Sequence, residues 1–377
     1  MERIGLGLIG SGFMGMAHAF GFAIAERVFD LPYKLDFAVM ADATDALAKT
    51  AQERFGFRES TGDWRALVAD PSVHMVAITT PNALHKEIAL AAIAAGKHVY
   101  CEKPLGLTSE ETEEMAHAAA AAGVVTQVGF NYICNPMVVL ARHMIRSGEL
   151  GDIVNYRGVH AEGYMLDPAT GWNFRFEPLG GGVLADLGSH ALATAEFLLG
   201  PIDEVFGDCR TVYPTRLSRD GTPVPVKVDD ITCAQLRFAR GCGGSMEASW
   251  LAAGEPMGHT FHVYGTKGAI SFTQERLNEL RHYSCADPEG RHGFRTILAG
   301  TEHPPYGDFC VASGHQLGFN DIKAIEVKGF LDAIAGRQAE PMGFGWGHRI
   351  QVLTDTIRAS SRAKAWTNVP PTAFRPK

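Results

Sequence analysis

At 377 residues the chain is long enough for two domains, since single cores rarely grow beyond about 250–300 residues. Hydrophobic residues make up 46% and charged residues 20%, an ordinary globular composition. A formal net charge of −8 without any Lys/Arg-rich run speaks against a nucleic-acid partner or an anionic membrane surface. The seven cysteines are scattered and form no C-x-x-C pair, which fits reduced thiols in a cytoplasmic protein better than a disulfide framework.

The N-terminal stretch alternates strand and helix patterns. Ile4 to Ile9 reads as a buried strand, not a signal-peptide core: it lacks a basic leader and runs straight into a glycine motif. A helix is expected from Met14 to Phe29, a strand from Leu35 to Ala41 and a helix from Asp45 to Phe55. A short helix at Asp63 to Ala69 leads to a strand at Met75 to Thr79, a helix from Ala83 to Ala95 and a strand at His98 to Cys101. Thr108 or Ser109 caps an alanine-rich helix that stops at Gly123, and Val124 to Phe130 is a further strand. This order implies a doubly wound parallel sheet. After Asn131 one helix, Met137 to Ser147, precedes long alternating strands at Ile153–Ala161, Glu204–Tyr213, Asp230–Phe238, Gly243–Leu251, Thr260–Tyr264 and Ala269–Phe272. Strands without intervening helices imply an open-faced, mainly antiparallel sheet. Glu279 to Gly318 reads as irregular, and Lys323–Ala335 and Ile350–Ala363 as closing helices. The expected division is a dinucleotide-binding Rossmann domain over 1–127 and an α+β substrate-binding and oligomerisation domain over 128–377.

Gly10-Ser11-Gly12-Phe13-Met14-Gly15 is a G-x-G-x-x-G between a strand and a helix. The first glycine permits the tight turn, the second lets a pyrophosphate approach the backbone, and the third lets helix pack on strand. The phosphates would meet free N–H groups at the helix N-terminus. Asp42 ends the second strand, where a carboxylate accepts hydrogen bonds from ribose hydroxyls and repels a 2′-phosphate; no Arg or Lys follows at 43 or 44. That favours NAD over NADP. Farther on, Glu102-Lys103-Pro104 closes a strand and puts a lysine at the carboxyl edge of the nucleotide sheet.

With these residues in view, the chain resembles the oxidoreductase family of glucose–fructose oxidoreductase, inositol dehydrogenase and MocA. The motifs carrying the resemblance are Gly10–Gly15, Asp42, Thr80-Pro81-Asn82 with His85, Gly96-Lys97-His98-Val99 leading to Glu102-Lys103-Pro104, and Gly180-Gly181-Gly182 followed by Asp186-x-x-x-His190. They span nearly the whole chain. The glycine loop and its spacer before Asp42 lean towards the levoglucosan-dehydrogenase-like branch.

The resemblance implies an NAD-dependent dehydrogenase acting on a cyclic sugar, an anhydrosugar or an inositol. Lys103 would donate a hydrogen bond to the reacting oxygen and shuttle its proton; the Lys103–Pro104 peptide is often cis in the family. Asp186 and His190, at i and i+4 of a helical stretch, share a face. The family makes His190 a second acid–base group and has Asp186 hold the substrate or orient the imidazole. The glycine triplet would leave backbone room near the nicotinamide. Thr80, Pro81, Asn82, His85, Glu102, Asn131, Trp172 and Arg175 are the further cofactor candidates, and Tyr132, Tyr164, Asp167 and Arg175 the further substrate candidates. Many relatives carry an aspartate where Ala193 stands, a departure that weakens a substrate assignment taken from the inositol dehydrogenases but leaves the Lys103–His190 pair in place.

Other chemistries fit less well. The histidines His259, His262, His282, His292, His303 and His315 show no metal-ligand spacing, so no metal is expected. No G-x-S-x-G elbow marks a hydrolase. A sensor without turnover would lack Lys103 or His190, and both are present. A keto-sugar reductase and a glycosidase that oxidises transiently with NAD are the alternatives, and the open sheet suggests a homodimer or homotetramer, because an exposed apolar sheet face would otherwise be a liability.

Overall fold

In a computed structural model, residues 2–337 and 342–373 are described. The chain divides into two compact units, Met1–Cys134 with Gly318–His348, and Asn135–Leu317 with Arg349–Lys377.

The first unit holds β1 (Arg3–Ile9), α1 (Phe13–Val28), β2 (Lys34–Ala41), α2 (Asp45–Phe55), β3 (Glu59–Thr61), α3 (Trp64–Ala69), β4 (Met75–Ile78), α4 (His85–Ala94), β5 (His98–Cys101), α5 (Ser109–Ala122) and β6 (Thr126–Val128). The six strands pair in parallel in the order β3-β2-β1-β4-β5-β6. Order reverses between β1 and β4, the switch point where such sheets bind ligands beyond their carboxyl ends. The central strands are buried on both faces, with Leu8, Met75, Val76, Ala77 and Ile78 all shielded, which is why they read as continuous apolar runs. Helix limits follow local signals: the Thr44 and Thr108 hydroxyls accept from Leu47 N and Glu111 N, and Gly56 and Gly123 end α2 and α5 in the left-handed region.

The second unit carries α6 (Pro136–Arg146), β7 (Ile153–Ala161), α7 (Ser189–Leu199), β8 (Ile202–Arg210), β9 (Thr215–Leu217), β10 (Pro223–Pro225), β11 (Ile231–Phe238), β12 (Gly243–Ser249), β13 (Gly258–Gly265), β14 (Gly268–Thr273), β15 (Glu279–Ser284), β16 (Arg295–Leu298) and the short α8 (Tyr306–Phe309). Its large sheet has nine strands, ordered β16-β15-β14-β13-β7-β12-β11-β8-β17, with β17 at Thr367–Asn368. All neighbours are antiparallel except β7 and β12. α7 is buried along its full length and, with α6, covers one face, against Ala234, Leu236, Met246, Phe261 and Val263.

Three expectations need correction. The stretch 279–318 is not wholly irregular, because Glu279–Ser284 and Arg295–Leu298 extend the sheet at its edge. The open sheet face is not apolar: Arg157, Gln235 and Glu247 stand exposed on it, with His262 and Tyr264 half-buried. Nor does the second domain run unbroken from residue 128. Helix α9 (Phe319–Ile334) returns to lie along α1, with Phe319 stacked on Phe13 at one end and Arg337 donating to Asp30 O at the other. The following helix α10 (Phe344–Ala363) contains the point of division.

Candidate active site

Because the six strands are parallel, everything that follows their last residues lies at one edge of the sheet. That row comprises Gly10–Gly15, Asp42, Thr79–His85, Glu102–Pro104 and Gly129–Tyr132. Gly10 has φ +98°, and a Cβ on it or on Gly15 would collide with Thr79 O or Gly10 O respectively; Gly12 faces open space. α1 starts at Gly12 with no side-chain cap and no acid in its first turn, so its leading N–H groups are left for an anion. Asp42 turns back to the loop: Oδ2 accepts from Ser11 N at 2.8 Å and from the Ser11 hydroxyl, and Oδ1 accepts from Ala43 N at 2.6 Å. Phe13 is 68% exposed and Met14 half-buried. Tyr132 packs on Phe319, 6.2 Å between rings.

Two polar groups in this row are buried with no hydrogen-bond partner among the described residues, Thr80 Oγ1 and Asn131 Nδ2. Buried polar atoms are rarely left unpaired. Together with the uncapped helix and the Asp42 carboxylate, they fit a dinucleotide laid across the edge.

Lys103 is half-buried between two supports. On one side the Glu102 carboxylate accepts from the Lys103 backbone N–H at 3.2 Å. On the other, His85 is fully buried, with Nδ1 2.9 Å from Pro104 O and Nε2 3.0 Å from Thr80 O. Burial lowers the pKa of His85, so its neutral ring has one proton to donate. The Lys103–Pro104 peptide is cis. Glu102 and His85 therefore stand as buried struts of the lysine turn. Lys97 belongs to the opposite edge, where its ammonium ties Asp70 O and Val73 O.

In the second unit a π-helical turn, Leu184–Gly188, precedes α7. Asp186 Oδ2 accepts there from Arg175 Nε at 2.8 Å and from the Tyr164 hydroxyl at 2.5 Å. Burial and the adjacent Asp186 push the Tyr164 phenol far up, so it stays a donor. A Cβ on Gly181 would strike Arg175 O and Glu177 O, and one on Gly182, at φ +91°, would strike the Asp229 carboxylate. Their bareness lets the 173–177 turn fold onto the helix start, with Gly182 N bound to Arg175 O at 2.8 Å, and so brings Arg175 to Asp186.

His190 is 6% exposed and lies among imidazoles, 5.5 Å from the His160 ring and 6.4 Å from that of His259. His160 and His259 are cross-strand partners on β7 and β13. His160 links Leu187 O and Glu162 Oε1, both at 3.1 Å, and His259 meets Thr194 Oγ1 at 3.1 Å. Burial, then the neighbouring His160, drives the His259 pKa well down. Trp172 is half-buried on Phe176. Asp167 is exposed and caps its own loop through Ala169 N at 2.8 Å.

Sequence reasoning missed Arg216, which is fully buried and holds Met165 O at 2.8 Å and Asp167 O at 2.6 Å, fixing the loop that carries Tyr164. It also missed Glu162, His160 and Trp250, whose indole donates to Asp230 at 2.7 Å. Of these, His160 lies at a buried position of the alternating β7 strand, a pattern that gives no sign of its neighbours. Among the described residues, no group of three or more His, Cys, Asp or Glu is placed to hold a metal ion, and no helix is long and apolar enough to cross a membrane.

Comparison with known proteins agrees with this geometry. Residues 4–130 match the oxidoreductase family with an NAD-binding Rossmann fold, and residues 138–271 match the GFO/IDH/MocA C-terminal domain. Levoglucosan dehydrogenase of Pseudarthrobacter phenanthrenivorans is 37% identical across 98% of this chain and 99% of its own. The solved structure of levoglucosan dehydrogenase in complex with NADH and levoglucosan superposes with a TM-score of 0.94 at 38% identity, covering 98% of this chain and all of that one. An NAD-binding oxidoreductase from Klebsiella pneumoniae matches with a TM-score of 0.94 at 41% identity, over 98% of this chain and 100% of that one. The chain belongs to the GFO/IDH/MocA oxidoreductase family and has its NAD-binding Rossmann fold.

Proposed function

We propose that the protein oxidises a ring hydroxyl of a cyclic sugar, an anhydrosugar or an inositol, with NAD as hydride acceptor and Lys103 and His190 as acid–base groups. The carrying observation is the Lys103 turn, clamped by Glu102 and His85 on the sheet edge that also holds the glycine loop and Asp42. Bound NAD supplies the hydride acceptor. Asp42 holds ribose hydroxyls and disfavours a 2′-phosphate, and the α1 N-terminus receives the pyrophosphate. Thr80 and Asn131 have hydrogen bonds to give to the cofactor. Lys103 and His190 take and return the hydroxyl proton. Asp186 serves as an anchor that fixes Arg175 and Tyr164, the groups offered to the remaining sugar hydroxyls. The similarity to levoglucosan dehydrogenase, solved with NADH and levoglucosan, supports the carbohydrate class. Assembly as a homodimer or homotetramer through the nine-stranded sheet, and a place in the cytoplasm, belong to the same proposal.

The test is NAD or NADP reduction, followed by nicotinamide absorbance, against a panel of sugars, anhydrosugars and inositols. Reduction of NAD by at least one member supports the reading. Tight NAD binding without turnover would shift it to a keto-sugar reductase, or, if an aglycone is released without net NADH, to a redox-cycling glycosidase.

A further inference from the structure

Beneath the Lys103 turn lies a buried charged cluster. Lys323, on α9, is fully buried, and its ammonium reaches Glu102 Oε1 at 3.1 Å, Glu326 Oε2 at 2.8 Å and the Tyr100 hydroxyl at 3.1 Å. Tyr100 donates to Glu326, and Gln127 Nε2 donates to Glu326 Oε1 at 3.3 Å. His18, from α1, meets the same Glu102 oxygen at 2.8 Å. Burial and then Lys323 lower the His18 pKa to about 4, so a neutral ring donates through Nε2. Burial raises Glu326 while Lys323 and Tyr100 lower it again, and Lys323 is shared as an ion-pair partner between Glu326 and Glu102. Burial alone would raise Glu102 as well, but Lys323 and His18 hold its carboxyl well below the usual range.

Two glycines make the space. A Cβ on Gly21 would lie 2.8 Å from Lys323 Cγ, and one on Gly129 would lie 2.5 Å from Glu102 Oε1. A buried ion pair is weak as a device for stability, because well-packed apolar residues often do as well or better. What the pair accomplishes shows at the other carboxylate oxygen, which accepts from the Lys103 N–H.

We propose that Lys323 is a positioning residue for Lys103: seated in the gap left by Gly21, its ammonium pins the Glu102 carboxylate against the Lys103 backbone. The pinned anion also interacts with the Lys103 side chain, whose charge is among those that lower the Glu102 pKa. The groups that face Glu102 are His18 from α1, His85 from α4, Tyr100 and Cys101 from β5, Lys323 and Glu326 from α9, and Lys103 itself. The inference rests on the reading of Lys103 as an acid–base group.

The test needs no substrate. Competitive acetylation of Lys103 by acetic anhydride across pH, read by peptide mass spectrometry on the full chain, reports the ionisation of its amine. In Lys323→Met, Glu102 loses its counter-ion and takes up a proton in its buried site, so the Lys103 curve moves to lower pH. Glu102→Gln moves it likewise, and the double variant moves it no further, because both act through one contact. In the oxidation assay the three variants share a kcat loss of roughly 10- to 100-fold, with the KM for NAD little changed. Should Lys323→Met fail to fold, Gly21→Ala displaces the lysine stem while keeping its charge and gives a smaller shift in the same direction. A Lys103 curve unmoved in Lys323→Met or Gly21→Ala while Glu102→Gln shifts it, or two shifts that add in the double variant, would overturn the proposal. An active Lys103→Ala would instead sink the acid–base reading and leave the labelling result standing.

Discussion

Asp42 already makes three hydrogen bonds to the loop around it, two of them from Ser11. The carboxylate is thus presented in one orientation, the condition for preferring a free 2′-hydroxyl to a phosphate. Asp42→Ala removes charge-assisted hydrogen bonds worth about 1.5–3 kcal/mol. NAD affinity measured by fluorescence titration should fall about 10- to 100-fold, while NADP affinity rises or holds; equal losses for both would show that Asp42 does not select. Much of this row was readable beforehand. The glycine spacing, Asp42 and Lys103 each carry a local chemical signature. For Glu102 and His85 the motif names the residues without showing which groups of the lysine turn they hold. Their burial turns them into supports.

Elements were legible where periodicity and caps agreed. α2, β5 and α5 fall at the expected limits. The β3, β9 and β10 strands, three residues each, and the edge strands β15 and β16 were not foreseen, since their strand character comes from pairing, not propensity. The π-helical turn at Leu184–Gly188 was read as ordinary helix. It is set by the glycine triplet, and Gly182 is its most sensitive point. A Cβ there meets the Asp229 carboxylate, which also caps Leu184 N at 2.8 Å and the Thr232 hydroxyl at 2.7 Å. Gly182→Ala should lower unfolding stability by about 1–3 kcal/mol, seen as an earlier urea midpoint, with a weaker Arg175–Asp186 contact and reduced turnover. An unchanged midpoint would mean that the turn relaxes freely.

For the whole chain, the return of α9 was the least legible feature. Its apolar face, with Ile322, Val327, Phe330 and Leu331 buried, predicts a helix but not the sheet it joins; the clue was Lys323 and Glu326 lying within that face. Buried histidines give the chain a common acid response. His18, His85 and His259 all have folded-state pKa values below the ordinary 6.5, His18 at about 4, chiefly through burial. Below about pH 6.5 the unfolded chain binds protons that the folded chain refuses, so stability falls as pH drops towards about 4. Each histidine contributes a slope approaching about 1.4 kcal/mol per pH unit. Thermal midpoints should decline through this window, and His18→Gln, which keeps a donor to Glu102, should flatten the decline. Constant midpoints would contradict the neutral buried imidazoles.

The central claim is that Lys103 serves hydride exchange between a ring hydroxyl and NAD. Its most direct test compares wild type with Lys103→Ala on the best sugar of the panel, measuring both kcat and the dissociation constant for NAD. The account predicts a loss of roughly 10²- to 10⁴-fold in kcat, the usual range for an acid–base group, with NAD binding little changed. Retention of turnover in Lys103→Ala, or loss of NAD binding in step with activity, would contradict it.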